Sequence, residues 1–146
     1  MKNTSGKKPL FLNLIIAAII GCLSLQVSAQ SRNDEDDVKK CLENYMSGEG
    51  TRVEKAFHPS ATMKYIDNKS GEFKDVPIAD YIARVKANAP ATDRKIAIAY
   101  KNIEGTAAQA EIRIETDKAI LIDYMNLLKI DGEWKIVSKI FARKDK

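Results

Sequence analysis

The stretch that decides the fold is Asp123-Tyr124-Met125-Asn126-Leu127-Leu128-Lys129-Ile130-Asp131-Gly132-Glu133-Trp134-Lys135-Ile136-Val137-Ser138-Lys139-Ile140-Phe141. Asp131-Gly132 tolerates positive φ at both central positions of a tight turn, and apolar runs flank it, so the stretch predicts a long β-hairpin. If the turn takes three residues, Met125 faces Lys139, Asn126 faces Ser138, and Asp123 lies diagonally within ion-pair reach of Lys139. By parity, Tyr124, Leu128, Trp134, Ile136 and Ile140 share one face, and Leu121, Met125, Leu127, Val137 and Phe141 the other.

Outward from the hairpin, Ala119–Ile130 lengthens its first strand, and Ala108, Ala110, Ile112 and Ile114 alternate with polar residues in the strand before it. Ile96, Ile98 and Tyr100 alternate in an earlier strand that Glu104-Gly105 turns, completing a four-strand meander. Further upstream, Pro77 opens a helix with Ile78, Tyr81, Ile82, Val85 and Ala89 on one face, closed by Pro90. Ala61–Ile66 and Glu72–Val76 read as a strand pair around a turn. Thr51-Arg52-Val53-Glu54 is a capping box for a short helix ending before Pro59, and the acidic run Asn33–Asp37 opens a first helix carrying Val38, Cys41, Leu42 and Tyr45. The pattern is α+β: one curved antiparallel sheet with three helices from the N-terminal half packed on one face.

Ahead of that domain, Lys2, Lys7 and Lys8 precede an apolar run too short to span a bilayer, and Val27-Ser28-Ala29 supplies small residues for cleavage. Residues 1–29 therefore read as a signal peptide and 30–146 as a single domain, periplasmic or secreted. The alternative is a lipoprotein anchored at Cys22, because Ile19-Ile20-Gly21-Cys22 resembles a lipobox. Without the three leader lysines, 21 of 24 basic residues remain against 20 acidic ones, a net charge of +1. The apparent basicity belongs to the leader, so no nucleic-acid partner is expected, and no membrane association after cleavage unless Cys22 is lipidated. Cys41 is left alone, without a disulfide, as a packing residue.

A single His and no Cys pair exclude an ordinary zinc site, and scattered glycines exclude a phosphate loop, so no metal and no cofactor are expected. Nucleophilic triads have no support either. His58 is the candidate acid or base, with Asp123 as a second; a helix-capping role for His58 and an ion pair for Asp123 are the structural alternatives.

The element order, Phe57-His58-Pro59 leading into a strand, and the closing Asp131-Gly132-Glu133-Trp134-Lys135-Ile136-Val137 resemble the nuclear transport factor 2-like superfamily. Within it the chain looks most like the putative lumazine-binding group of exported bacterial proteins. The resemblance implies a cone-shaped α+β fold whose open end commonly holds a small-molecule pocket, often in a homodimer. It also puts Tyr65 at or near the place of the general-base aspartate of ketosteroid isomerases, and a tyrosine is protonated at neutral pH. Two functions follow as expectations. One is a non-catalytic domain binding a small hydrophobic or aromatic molecule, or a bare scaffold; the other is a small acid–base enzyme of dehydratase, isomerase or cyclase type using His58 with a Tyr or Asp. The expected pocket residues are Tyr45, His58, Tyr65, Tyr124, Asn126, Trp134 and Ser138, with Asn126→Leu expected to abolish ligand retention. A homodimer is expected through the uncovered sheet face.

Intact-mass measurement of the exported protein is expected to give an N-terminus at Gln30; a diacylglyceryl-modified Cys22 would replace that reading with the lipoprotein.

Overall fold

The hairpin is present with the strand lengths the sequence dictates, in a computed structural model that describes residues 33–90 and 93–146. The leader and Cys22 lie outside the described residues. Helix α1 covers 33–46 and α2 covers Gly50–Ala56. Strands β1 (Phe57–Ile66) and β2 (Phe73–Pro77) follow, then α3 (Ile78–Lys86). Strands β3 (Lys95–Glu104), β4 (Ala107–Glu115), β5 (Ala119–Ile130) and β6 (Glu133–Asp145) complete one sheet in the order β2-β1-β6-β5-β4-β3.

Every pairing in that sheet is antiparallel except β1 with β6, where the chain's first strand enters beside its last. The helices cover one face. Val38, Cys41, Leu42 and Tyr45 of α1, Val53 and Ala56 of α2, and Ile78 and Ile82 of α3 are buried against Ile112, Met125, Leu127, Trp134 and Ile136 of the sheet. Burial holds the Cys41 thiol up, at about 11, and its Sγ–H reaches the Ala56 carbonyl oxygen at 3.4 Å, as suits a packing residue.

Local details depart from the sequence reading in three places. The cap of α2 is Glu49, whose carboxylate accepts the Thr51 N–H at 3.2 Å, in place of the Thr51–Glu54 box. That helix also ends at Ala56, so His58 sits in β1, within a stretch where Pro59 lacks the N–H a regular ladder needs and the β1–β6 register shifts. Helix α3 stops at Lys86, short of Ala89.

The third departure concerns the hairpin. Its turn has two residues, Asp131 and Gly132, both at positive φ (51° and 84°), as a type I′ turn requires. Ile130 pairs with Glu133 and Leu127 with Ile136, but Asn126 pairs with Ser138, so Val137 is an extra residue, a β-bulge. Beyond the bulge Met125 faces Lys139, the register expected from a longer turn. Before it, side-chain parity is reversed. Trp134 and Ile136 therefore point to the same buried face as Met125 and Leu127, while Tyr124, Leu128 and Ile140 stay on the other, 41–50% exposed.

Candidate functional site

The covered face of the sheet holds two ionisable side chains that no surface pattern advertises. Asp123 of β5 is wholly buried and Lys139 of β6 is 4% exposed. Lys139 Nζ lies 3.1 Å from Asp123 Oδ2 and donates to the Tyr45 hydroxyl at 2.8 Å. The Tyr45 hydroxyl in turn donates to Asp123 Oδ2, closing a three-membered ring of polar contacts between α1 and the β5–β6 hairpin. The ammonium also sits over the rings of Phe141, Tyr45 and Tyr81, at 4.9, 5.1 and 5.4 Å from their centroids.

Electrostatics follow from that burial. Desolvation lowers the Lys139 pKa and Asp123 pulls it back up. Desolvation and the Asp123 charge hold the Tyr45 phenol well above its ordinary range, so it stays a protonated donor. Both contacts fall on Oδ2. Asp123 Oδ1 is buried and has no hydrogen-bond partner among the described residues. An unsatisfied buried carboxylate oxygen is costly, and it is the sharpest anomaly of the structure.

Asp123, Lys139 and Tyr45 line a cavity of about 760 Å³. Met63 and Tyr65 of β1, Tyr81 and Val85 of α3, and Ile96, Ile114, Leu121 and Phe141 of the sheet give it mostly apolar walls. Tyr65 stacks on Phe141 with ring centroids 4.6 Å apart. Arg84, Arg94 and Arg143 line it as well. Its volume lies in the range common for small-molecule pockets, with mostly apolar walls and a few polar lining groups. Among the described residues no group of acidic, His and Cys side chains is arranged to hold a metal ion.

Of the residues named from sequence, Tyr45, Tyr65 and Asp123 line this cavity. The others lie elsewhere. His58 is not a lining residue; its Nδ1 accepts the Ser60 N–H at 3.2 Å and lies 2.8 Å from Ser60 Oγ. Trp134 is carried into the core by the bulge. Asn126 and Ser138 do face each other, but on the outer face: Asn126 Nδ2 donates to Ser138 Oγ at 2.9 Å, and Gln109 Nε2 donates to Asn126 Oδ1 at 3.1 Å. Tyr124 shares that outer face, and a shallower hollow of about 360 Å³ beside Asn126 does not join the residues of the main cavity. Lys139, Tyr81, Phe141 and the arginines were not anticipated as lining residues. Tyr81 had a signal, since it shares the apolar face of α3 with Val85; the arginines had none.

The fold and cavity define a nuclear transport factor 2-like domain. Such a domain from Shewanella baltica OS155, a protein of unknown function, superposes with a TM-score of 0.70 at 28% identity, over 78% of this chain and 96% of its own. One from Methylobacillus flagellatus KT, also of unknown function, superposes at 0.68 with 32% identity, over 77% of this chain and 93% of its own. The putative lumazine-binding family matches residues 33–142, and the chain belongs to it. A curated relative, aldolase FrzH from Cladobotryum sp, is 28% identical over 103 residues, 68% of this chain and 80% of that protein.

The buried ring makes a stability prediction. Lys139→Met or Asp123→Leu alone strands the partner's charge and is expected to cost about 3–5 kcal/mol. The triple variant Tyr45→Phe/Asp123→Leu/Lys139→Met removes the whole ring and is expected to regain most of that loss. Urea midpoints at constant m-value measure both; a triple variant no more stable than the singles contradicts it.

Proposed function

We propose that this protein is an exported small-molecule-binding domain whose ligand enters the cavity between α3 and the sheet and gives a hydrogen bond to Asp123 Oδ1. Asp123 is a lining residue of a mostly apolar cavity, and one of its carboxylate oxygens is buried without a partner among the described residues; that carries this reading. Tyr65 and Phe141 present a stacked aromatic wall suited to a flat apolar molecule. His58, the sequence's candidate acid or base, is spent on Ser60 away from the cavity lining, which favours binding over the enzyme built on it.

One observation favours a second reading. Tyr45, Asp123 and Lys139 are a proton donor, a carboxylate and an amine of lowered pKa at one place in the cavity, and FrzH is named an aldolase. Acid–base chemistry in this chain would use those three groups, with His58 uninvolved.

The second proposed partner is another copy of the chain. Tyr124 and Ile140, paired across the hairpin, are exposed apolar side chains on the outer face, with Leu128 beyond the polar Asn126–Ser138 pair, and the helices do not cover them. A two-fold contact there would bury it.

Equilibrium binding of 2-naphthol, a flat apolar probe with one donor, tests the cavity. One saturable site per chain is expected. Leu121→Trp, which fills the cavity, is expected to weaken binding about tenfold or more by removing the space for the ring. Asn126→Leu is expected to leave binding unchanged, because Asn126 lies on the outer face. Loss in Asn126→Leu with retention in Leu121→Trp would move the site to the other side of the sheet.

Sedimentation equilibrium tests assembly. A dimer at micromolar concentration is expected, dissociated by Tyr124→Lys/Ile140→Lys; a wild-type monomer at that concentration contradicts the proposal.

A further inference from the structure

The charges around the cavity are unevenly placed. Its lining cations are Lys69, Arg84, Arg94, Arg143 and the buried Lys139; its lining acids are Asp67, Asp145 and the buried Asp123. Lys139 and Asp123 neutralise each other. On the β1 and β6 side, Arg143 Nε pairs with Asp145 at 2.8 Å. Asp67 turns one carboxylate oxygen inward on its own loop, accepting the Lys69 and Ser70 N–H groups at 2.9 and 3.0 Å.

The other side has no such balance. Arg84 on α3 and Arg94 just before β3 line the cavity, and neither element contributes an acid to its lining. Arg94 gives one N–H of Nη2 to the Met46 carbonyl at 3.2 Å, and its guanidinium lies against Gly48, where a Cβ would meet Nη2 at 2.1 Å. The glycine leaves room for that arginine. Burial holds the Tyr81 phenol above its ordinary range, and its hydrogen bond with Tyr45 and, less strongly, the Arg94 and Arg84 charges oppose that rise. Arg84, Arg94 and the Tyr81 phenol all belong to the lining of the cavity, contributed by α3 and the segment just before β3. An anion held there, with desolvated apolar surface on one side, feels a stronger field than at an open surface.

The cavity lining thus carries two opposite chemistries. Asp123 Oδ1 is a buried acceptor without a hydrogen-bond partner among the described residues, and Arg84 and Arg94 are lining cations suited to an oxyanion, in a cavity with aromatic and aliphatic walls. We propose that the ligand is an amphipathic organic acid: a flat apolar body with a hydroxyl or N–H directed at Asp123 Oδ1 and a carboxylate held by Arg84 and Arg94. This rests on the cavity being the binding site and adds the ligand's class. Arginine suits the second role because its fork of N–H groups matches the two oxygens of a carboxylate.

Three probes with one ring system separate the parts: 2-naphthol has only the donor, 2-naphthoate only the carboxylate, and 6-hydroxy-2-naphthoate both. The hydroxy acid is expected to bind about tenfold or more tightly than 2-naphthol, since a charge-assisted pair is stronger than a neutral contact. Its binding is expected to weaken from low to physiological salt, while 2-naphthol binding stays constant. Arg84→Gln, on an exposed residue, is expected to remove part of the advantage, and Arg84→Gln/Arg94→Gln nearly all of it, with 2-naphthol affinity reporting that the cavity remains intact. Equal binding of 2-naphthol and the hydroxy acid, or an advantage that survives both substitutions and high salt, overturns the proposal and leaves the cavity reading standing. Failure of all three probes overturns both.

Discussion

A buried lysine facing a buried aspartate constrains the rest of this molecule. Moving two charges out of water costs several kcal/mol each even after relaxation, and their attraction offsets this only when the geometry and remaining hydrogen bonds are good. Here Tyr45 supplies one of those bonds, from a helix at the far end of the sequence, and three aromatic rings surround the ammonium. The ring therefore locks α1 onto the hairpin at a fixed position, where a purely apolar contact would tolerate sliding. It satisfies only one oxygen of the carboxylate. The other, Oδ1, has no hydrogen-bond partner among the described residues.

Most of the architecture is legible in the sequence because it rests on local rules. Alternation in 107–115 places Ala108, Ala110, Ile112 and Ile114 inward, and a turn dipeptide with positive φ closes the hairpin at Asp131-Gly132. What local rules miss is the bulge at Val137. Nothing in Lys135-Ile136-Val137-Ser138 marks an extra residue, since either parity puts apolar groups on both faces. Pairing with β1 on one side and β5 on the other decides the register, and both are long-range contacts. That one residue moves Trp134 away from Tyr124 and turns a presumed pocket wall into core.

The candidate site is legible in part for the same reason. The Asp123–Lys139 pair follows from strand geometry alone, and Tyr45 and Tyr65 lie on elements whose inward faces are plain from spacing. Their convergence depends on sheet curvature and on how far α3 stands from β3, which no periodicity encodes. His58 looked chemical because it was the only histidine; the structure gives it a local bond to Ser60 at an irregular point of β1. Asn126 and Ser138 read from the sequence either as polar groups awaiting a ligand or as partners of one another, and they are partners on the outer face, where Gln109, opposite Asn126 on the neighbouring strand β4, completes their hydrogen bonding.

The proposed binding depends on one atom, the buried and unpartnered Asp123 Oδ1, as the acceptor of the ligand's hydrogen bond. Carbon-13 NMR of protein labelled at the aspartate side-chain carboxyls, titrated with 2-naphthol, observes it directly. The account predicts that the Asp123 resonance shifts on saturation while the exposed aspartates stay in place. An Asp123 resonance that does not move at full occupancy would show that the ligand seats elsewhere, and the central role of this carboxylate would be wrong.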